Sequence, residues 1–212
     1  LHALYAAIWR GSYPALVTQP AMSRDLFYSS YLQTYLQRDV RDLARVGDET
    51  AFLRFVRAAA ARTAQLLNIA DLARDADVAP NTAKSWLSIL EASGIVSLLQ
   101  PWHTNITKRL VKTPKLHLVD TGLAASLLRL DAAALLRDRA LLGQLLQTFV
   151  LQELRRQADV QDGAVSFHHF RDKDGVEVDI VVERGAFELA GVEVKAAASV
   201  TEADFRGLRK LQ

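Results

Sequence analysis

The sequence predicts an α+β protein: a helical N-terminal region and a winged helix, followed by a small α/β sheet domain. Three observations carry this. Apolar residues recur at helical spacing through the first sixty positions, residues 68–94 have the grammar of a helix–turn–helix, and beyond Val165 the chain changes to short β-branched runs separated by turn signals. The expected division is a helical linker region over 1–60, a winged-helix domain over 61–130 and a sheet domain over 131–212.

Composition sets the outer bounds. The 212 residues are half hydrophobic, enough for one large or two small cores. The chain has no cysteine, which excludes disulfides and thiolate metal sites and fits a reducing cytoplasm. The net charge is only +2 although the pI is about 9.0, so any affinity for nucleic acid has to come from a local patch. Arg129, Asp131, Arg137, Asp138 and Arg139 interrupt the Leu-rich region, and no apolar run reaches the roughly eighteen residues of a membrane helix. A soluble, cytoplasmic protein is expected. The sequence starts without Met and stops inside a helical pattern, which reads as a fragment of something longer. No Gly-rich phosphate loop is present, so ATP has no site of that kind here.

Leu1 to Arg10 is too short to assign and Gly11 to Ala21, with two prolines, reads as loop. Leu26, Phe27, Tyr31, Tyr35, Leu36 and Leu43 mark one long amphipathic helix from Ser23 to about Arg45. Gly47-Asp48 then stops it and caps a second helix, on which Phe52, Phe55, Val56, Ala59 and Ala60 form the stripe.

Ile69 to Asp75 reads as a short helix, 77–79 as a tight turn, and Pro80 as the first position of a helix that runs to a stop at Gly94. Strands over 95–99 and 115–119 would complete the winged helix. The intervening wing carries Lys108, Arg109, Lys112 and Lys115 without an acid, and the second helix offers Asn81, Thr82, Lys84 and Ser85. Together these are candidate contacts to the phosphates of DNA or RNA. The competing reading is a winged helix that spaces protein partners.

The chemistry-bearing stretch is 175–197. Val176 to Glu183 and Phe187 to Lys195 read as a hairpin across Arg184-Gly185. Side-chain alternation puts Glu193 and Lys195 on one face, and a suitable register would bring Asp179 beside them. Two carboxylates and an ammonium at one spot can hold a hard cation such as Mg²⁺, with Asp179, Glu193 and the Val194 carbonyl as ligands and Lys195 orienting a water for phosphodiester hydrolysis. Charged residues alternating with valines also simply solvate a sheet face, and that reading stays open. His168 and His169 are adjacent on a strand and point to opposite faces, which suits structural histidines better than ligands of one ion. Arg171 is expected to pair with a nearby carboxylate.

The spacing of Asp179 from Glu193-Val194-Lys195 resembles the PD-(D/E)XK nuclease superfamily, so the sheet domain is expected to be restriction-endonuclease-like. Several segments appear in order: Tyr31 to Val40, Lys108 to Leu116, Asp120-Thr121-Gly122-Leu123, Gly143 to Leu154, Arg171 to Gly175, and the two acidic motifs. Their succession resembles the C-terminal half of prokaryotic AAA-type ATPases, domain of unknown function family 4143. The resemblance implies a P-loop ATPase module outside this chain, which alone would handle ATP, and a catalytic or second-metal glutamate on the helix before the strands, assigned to Glu153. The family usually shows an acid where this chain has Gln147. A metal-dependent nuclease, a non-catalytic platform for docking or sensing a protein partner, and a DNA-binding regulator are the three functional expectations.

Overall fold

The structure, a computed structural model, describes residues 2–36, 48–102, 113–161, 163–185 and 188–211. Among them are ten α-helices and one mixed six-stranded sheet, so the fold is α+β. No helix among the described residues is long and apolar enough to cross a membrane.

The first twenty residues are more ordered than their composition suggests. They form α1 (His2–Arg10), in a stretch too short to assign from sequence, and α2 (Pro14–Thr18), where a loop was expected. Pro14 sits at the start of α2, where its missing N–H and fixed φ cost nothing. Ile8 and Leu16 are fully enclosed, so burial against the rest of the molecule fixes these short helices. Helix α3 (Arg24–Tyr35) is capped by Ser23, and α4 (Glu49–Ala61) by Asp48, whose side chain accepts from the Ala51 amide. The expected continuation of α3 to Arg45 lies outside the described residues.

Helices α5 (Ile69–Ala76) and α6 (Pro80–Ala92) follow the helix–turn–helix spacing. Asn68 caps the first, and Asp77 ends it in the left-handed region at φ 57°. Trp86 on α6 is wedged edge-on between Phe52 and Phe55 of α4, with ring centroids 5.3 and 5.7 Å away. This aromatic triad ties the helix pair to the main core.

Strands β1 (Gln65–Leu66), β2 (Val96–Pro101) and β3 (Lys115–Leu118) make an antiparallel group in which β3 is central. Helices α7 (Thr121–Leu127), α8 (Ala134–Arg137) and α9 (Arg139–Ala158) follow. Then β4 (Val165–Arg171), β5 (Glu177–Arg184) and β6 (Glu188–Val192) form an antiparallel meander. Parallel pairing of Gln100 with His168 and Pro101 with His169 fuses the two groups into the order β1-β3-β2-β4-β5-β6. The sheet therefore runs through the expected boundary at 130/131. A 3₁₀ turn (Glu202–Phe205) and α10 (Arg206–Leu211) close the chain against β5 and β6.

Helix α9 lies across the join. Its Leu151 packs with Leu99 and Ile180. Its Thr148 hydroxyl is 2.8 Å from that of Thr63 and 3.0 Å from His117 Nδ1, and Gln152 Nε2 donates to the Leu118 carbonyl. On the other face, Phe170, Val178 and Val181 pack with Leu208 and Leu211 of α10.

Val178 and Val181 would point to opposite faces of a regular strand. They share a cluster because β5 carries an extra residue: β4 advances two positions from His168 to Phe170 while β5 advances three from Val181 to Val178. The bulge falls at Asp179 and Ile180, and it re-aims the acid on which the sequence reading centred.

Candidate functional site

The register pairing Ile180 with Val192 sets Asp179 opposite Glu193, just past the end of β6. Asp179 is 6 % exposed, and both its oxygens are engaged. Oδ2 accepts from the Val194 amide at 3.0 Å, and Oδ1 accepts from Lys115 Nζ at 3.1 Å. Lys115 itself is 3 % exposed. A lysine on β3 thus reaches across the fused sheet to an acid on the β5 bulge, forming a buried ion pair between the two halves of the molecule. Removing one partner of such a pair costs about 3–5 kcal/mol, since it strands the other charge out of water.

Glu193 and Lys195 form the outer part of the group. Lys195 Nζ donates to Glu193 Oε1 at 2.6 Å and lies 4.0 Å from Asp204 at the C-terminal turn. Burial raises the Glu193 carboxyl above its ordinary value, helped by the Asp179 charge, and the pull of Lys195 does not offset this. Lys195 is raised in turn, chiefly by its hydrogen bond to Glu193. Asp204 is lowered because the Thr201 amide and hydroxyl both donate to it. The pair opens on a polar cavity of about 190 Å³, also lined by Glu177, Asp204, Arg206 and Gly207.

Glu153 is not part of this corner. Its carboxylate bonds Arg156 one turn along α9, and Arg156 reaches outward to Ser12. The inward position is Gln147, which is 8 % exposed with its Nε2 buried and unbonded. One turn before it, Gly143 approaches Ala196, next to Lys195. The helix position that turns inward is therefore an amide.

The corner does not fit a divalent cation. Asp179 and Glu193 supply two negative charges, Lys115 and Lys195 supply two positive ones, and the deeper acid has an ammonium already seated on it. Val194 enters through its N–H, as a donor to Asp179. Among the described residues, no three His, Cys, Asp or Glu side chains are grouped so as to hold a metal ion. A hard cation needs excess negative charge, and here the charges balance, with Glu193 Oε2 as the corner's unbonded oxygen.

The nucleic-acid candidates divide. Asn81 and Lys84 are exposed on α6 with Ser85 and Ser88, and Thr82 is half-buried. Lys115 is a correction, because a buried lysine paired with Asp179 cannot meet a phosphate. Lys108, Arg109 and Lys112 lie outside the described residues. His168 lies near Ser166 and Glu183, and the buried His169 places Nε2 3.1 Å from the Thr113 carbonyl. Arg171 pairs with Glu177 at 2.9 Å.

Sequence reasoning missed His117. It is fully enclosed on β3, and its pKa falls well below 6.5 through burial and then the neighbouring charges of Lys115, Arg155 and His169. The available signal was Lys115 and His117 two apart in a run of alternate residues, which places both on one face of a strand.

Comparison with known proteins supplies the relationships. Residues 1–134 match the family described as Domain of unknown function (DUF8612). Residues 142–212 match Domain of unknown function (DUF4143), so the resemblance expected over the whole chain holds for its C-terminal third. Uncharacterized protein Mb2031c of Mycobacterium bovis and Uncharacterized protein Rv2008c of Mycobacterium tuberculosis are each 33 % identical over 153 residues. That is 72 % of this chain and 34 % of theirs, so the chain spans about a third of the curated relatives it matches. No solved structure matches the chain.

Proposed function

The chain belongs to the family described as Domain of unknown function (DUF8612), and for this member we propose a non-catalytic coupling module: a winged-helix unit joined to a nuclease-like sheet that serves as a docking or sensing platform. The order β1, α5, α6, β2, β3, with β3 between β1 and β2, supports the winged-helix part of the reading. A long helix followed by a three-stranded meander bearing Asp179 and Glu193-Val194-Lys195 supports the nuclease-like part. In the longer relatives such a platform would pass position from the sheet to the helical region, and an ATPase in the remainder of such a protein would be its natural client.

The observation that carries the non-catalytic reading is the Lys115–Asp179 pair. An enclosed acid that already holds an ammonium on one oxygen and an amide N–H on the other is poorly placed to ligate a metal or activate water while that pair stands. Titration with Mn²⁺ by calorimetry, alongside a plasmid-nicking assay, tests it. The reading expects no binding heat and no metal-dependent cleavage. Nicking that needs Mn²⁺ or Mg²⁺ and disappears in Asp179→Ala would establish the hydrolase in its place.

One observation favours a second reading, a DNA-binding regulator: the exposed polar face of α6 with Asn81, Lys84, Ser85 and Ser88. Salt-sensitive retention of duplex DNA would support it.

A further inference from the structure

A single hydrogen-bond chain runs through the buried seam where α9 meets β3. The Leu118 amide donates to Thr63 Oγ1 at 3.1 Å, Thr63 Oγ1 lies 2.8 Å from Thr148 Oγ1, and Thr148 Oγ1 lies 3.0 Å from His117 Nδ1. Thr63, His117 and Thr148 are each fully enclosed. Thr63 and His117 belong to the region that matches DUF8612 and Thr148 to the region that matches DUF4143, so the chain crosses from one to the other. We propose that it is an acid-operated latch: a proton taken up by His117 releases α9 from β3 without unfolding the helical region. The inference goes beyond the coupling reading and holds whether or not the sheet is catalytic.

The donors and acceptors fix the direction of the chain. Among the described residues Thr148 is the acceptor within reach of the Thr63 hydroxyl proton, so Thr63 donates to Thr148, Thr148 donates to His117 Nδ1, and the neutral ring carries its proton on Nε2. That Nε2 is buried without a hydrogen bond. A second proton on the ring has to enter at Nδ1, opposite a hydroxyl that already points its own proton there. Whichever way the threonines then turn, one hydroxyl proton is left without an acceptor in a fully enclosed site. Burial disfavours the charged ring, and the charges acting on it add to the penalty: Lys115 on the same strand, Arg155 on α9 and His169 on β4, each cationic or able to become so. Lys115 is committed to Asp179, and Arg155 donates at 2.8 Å to Ser97 Oγ, across the β2–β3 register from His117. The segment bearing Thr63 is tied to β3 by a backbone bond from the Ala64 amide to the Leu116 carbonyl. Helix α9 meets β3 through side chains, Thr148 on His117 and Gln152 on the Leu118 carbonyl, so α9 is the element that yields.

Amide hydrogen exchange of the chain at pH 7.5 and pH 5.0, corrected for intrinsic rates, tests the latch. At pH 7.5 the α9 amides from Leu145 to Leu151 should be less protected than those of α4, because α9 opens before the molecule unfolds. With the released ring at its ordinary 6.5, the opening constant of α9 should rise about thirtyfold between the two pH values, and the rise should vanish in His117→Asn. Helix α9 amides as protected as those of α4, or an acid response that persists in His117→Asn, would overturn the proposal. Long-range proton–nitrogen correlation of the wild-type ring at pH 7.5 gives a second readout that stands even if the variant does not fold. A proton on Nε2 with Nδ1 bare supports the latch, and a proton on Nδ1 overturns it.

Discussion

The Tyr28 hydroxyl donates to Asp120 Oδ1 at 2.7 Å, a bond that joins helix α3 to the loop after β3 across 92 residues of sequence. Asp120 also accepts from the Ser12 amide at 2.6 Å and from the Leu123 amide at 2.7 Å, so one carboxylate anchors α1, α3 and the cap of α7. Burial, then the Asp120 charge, pushes the Tyr28 phenol far above its usual value. Arg24 stacks over Trp9 and Tyr28, closing the group.

Tyr28→Phe keeps the ring and removes the bond to a buried charge. The expected loss is about 1.5–3 kcal/mol in urea unfolding. Gly11→Ala should also destabilise, by more than about 1 kcal/mol, because Gly11 has φ +85° and its Cβ would strike the Tyr28 hydroxyl and Asp120. A Tyr28→Phe variant as stable as wild type would show that the hydroxyl carries no weight.

His117 makes stability depend on acid. Its folded pKa lies below the unfolded value of 6.5, so the unfolded chain binds the proton first. The contribution is fully present above about pH 6.5 and is lost as pH falls from there toward the folded value, with a slope of up to about 1.4 kcal/mol per pH unit. Arg155, Lys115 and His169 face the ring, and Thr148 holds its Nδ1. Urea midpoints at pH 7.5 and pH 5.0 should diverge in wild type, and the gap should narrow in His117→Asn, which keeps a partner for Thr148.

The Glu193 carboxyl should titrate above 4.5 in a carbon-detected NMR experiment, because burial outweighs its ion pair. Lys195→Met removes a group that lowers it, so the titration midpoint should rise further. A downward movement in that variant would contradict the assignment of burial as the leading cause.

Lys84 is the one cation on the described polar face of α6. If duplex DNA is held there, Lys84→Ala should reduce the slope of log affinity against log salt by about 0.9, the share of one phosphate contact. An unchanged slope would move DNA contact away from this helix.

Much of the fold was legible where local chemistry agrees with tertiary demand. The 77–79 turn and Pro80 mark the α5–α6 pair, Asp48 caps α4, and a valine-rich run marks β5. Helices α1 and α2 were not legible, because nine and five residues are too short to hold by propensity and depend on burying Ile8 and Leu16. The site was legible in its outer pair and not in its depth. Lysines are almost never fully buried unless paired, so Lys115 read as a surface cation until Asp179 was placed beside it. Glu153 and Gln147 share one helical pattern, and only the docking of α9 settles which of them turns inward.

The extra residue at Asp179 and Ile180 has an evolutionary corollary. Losing a single amino acid there would put β5 back in step with β4 and rotate the outer segment by half a pleat. Val178 would exchange its place against Leu208 and Leu211 for the side where Leu151 lies. Insertions and deletions that surface loops absorb easily should therefore be poorly tolerated within these two positions, and related chains that differ in length between Gly175 and Glu193 should place the difference at the Arg184-Gly185 turn.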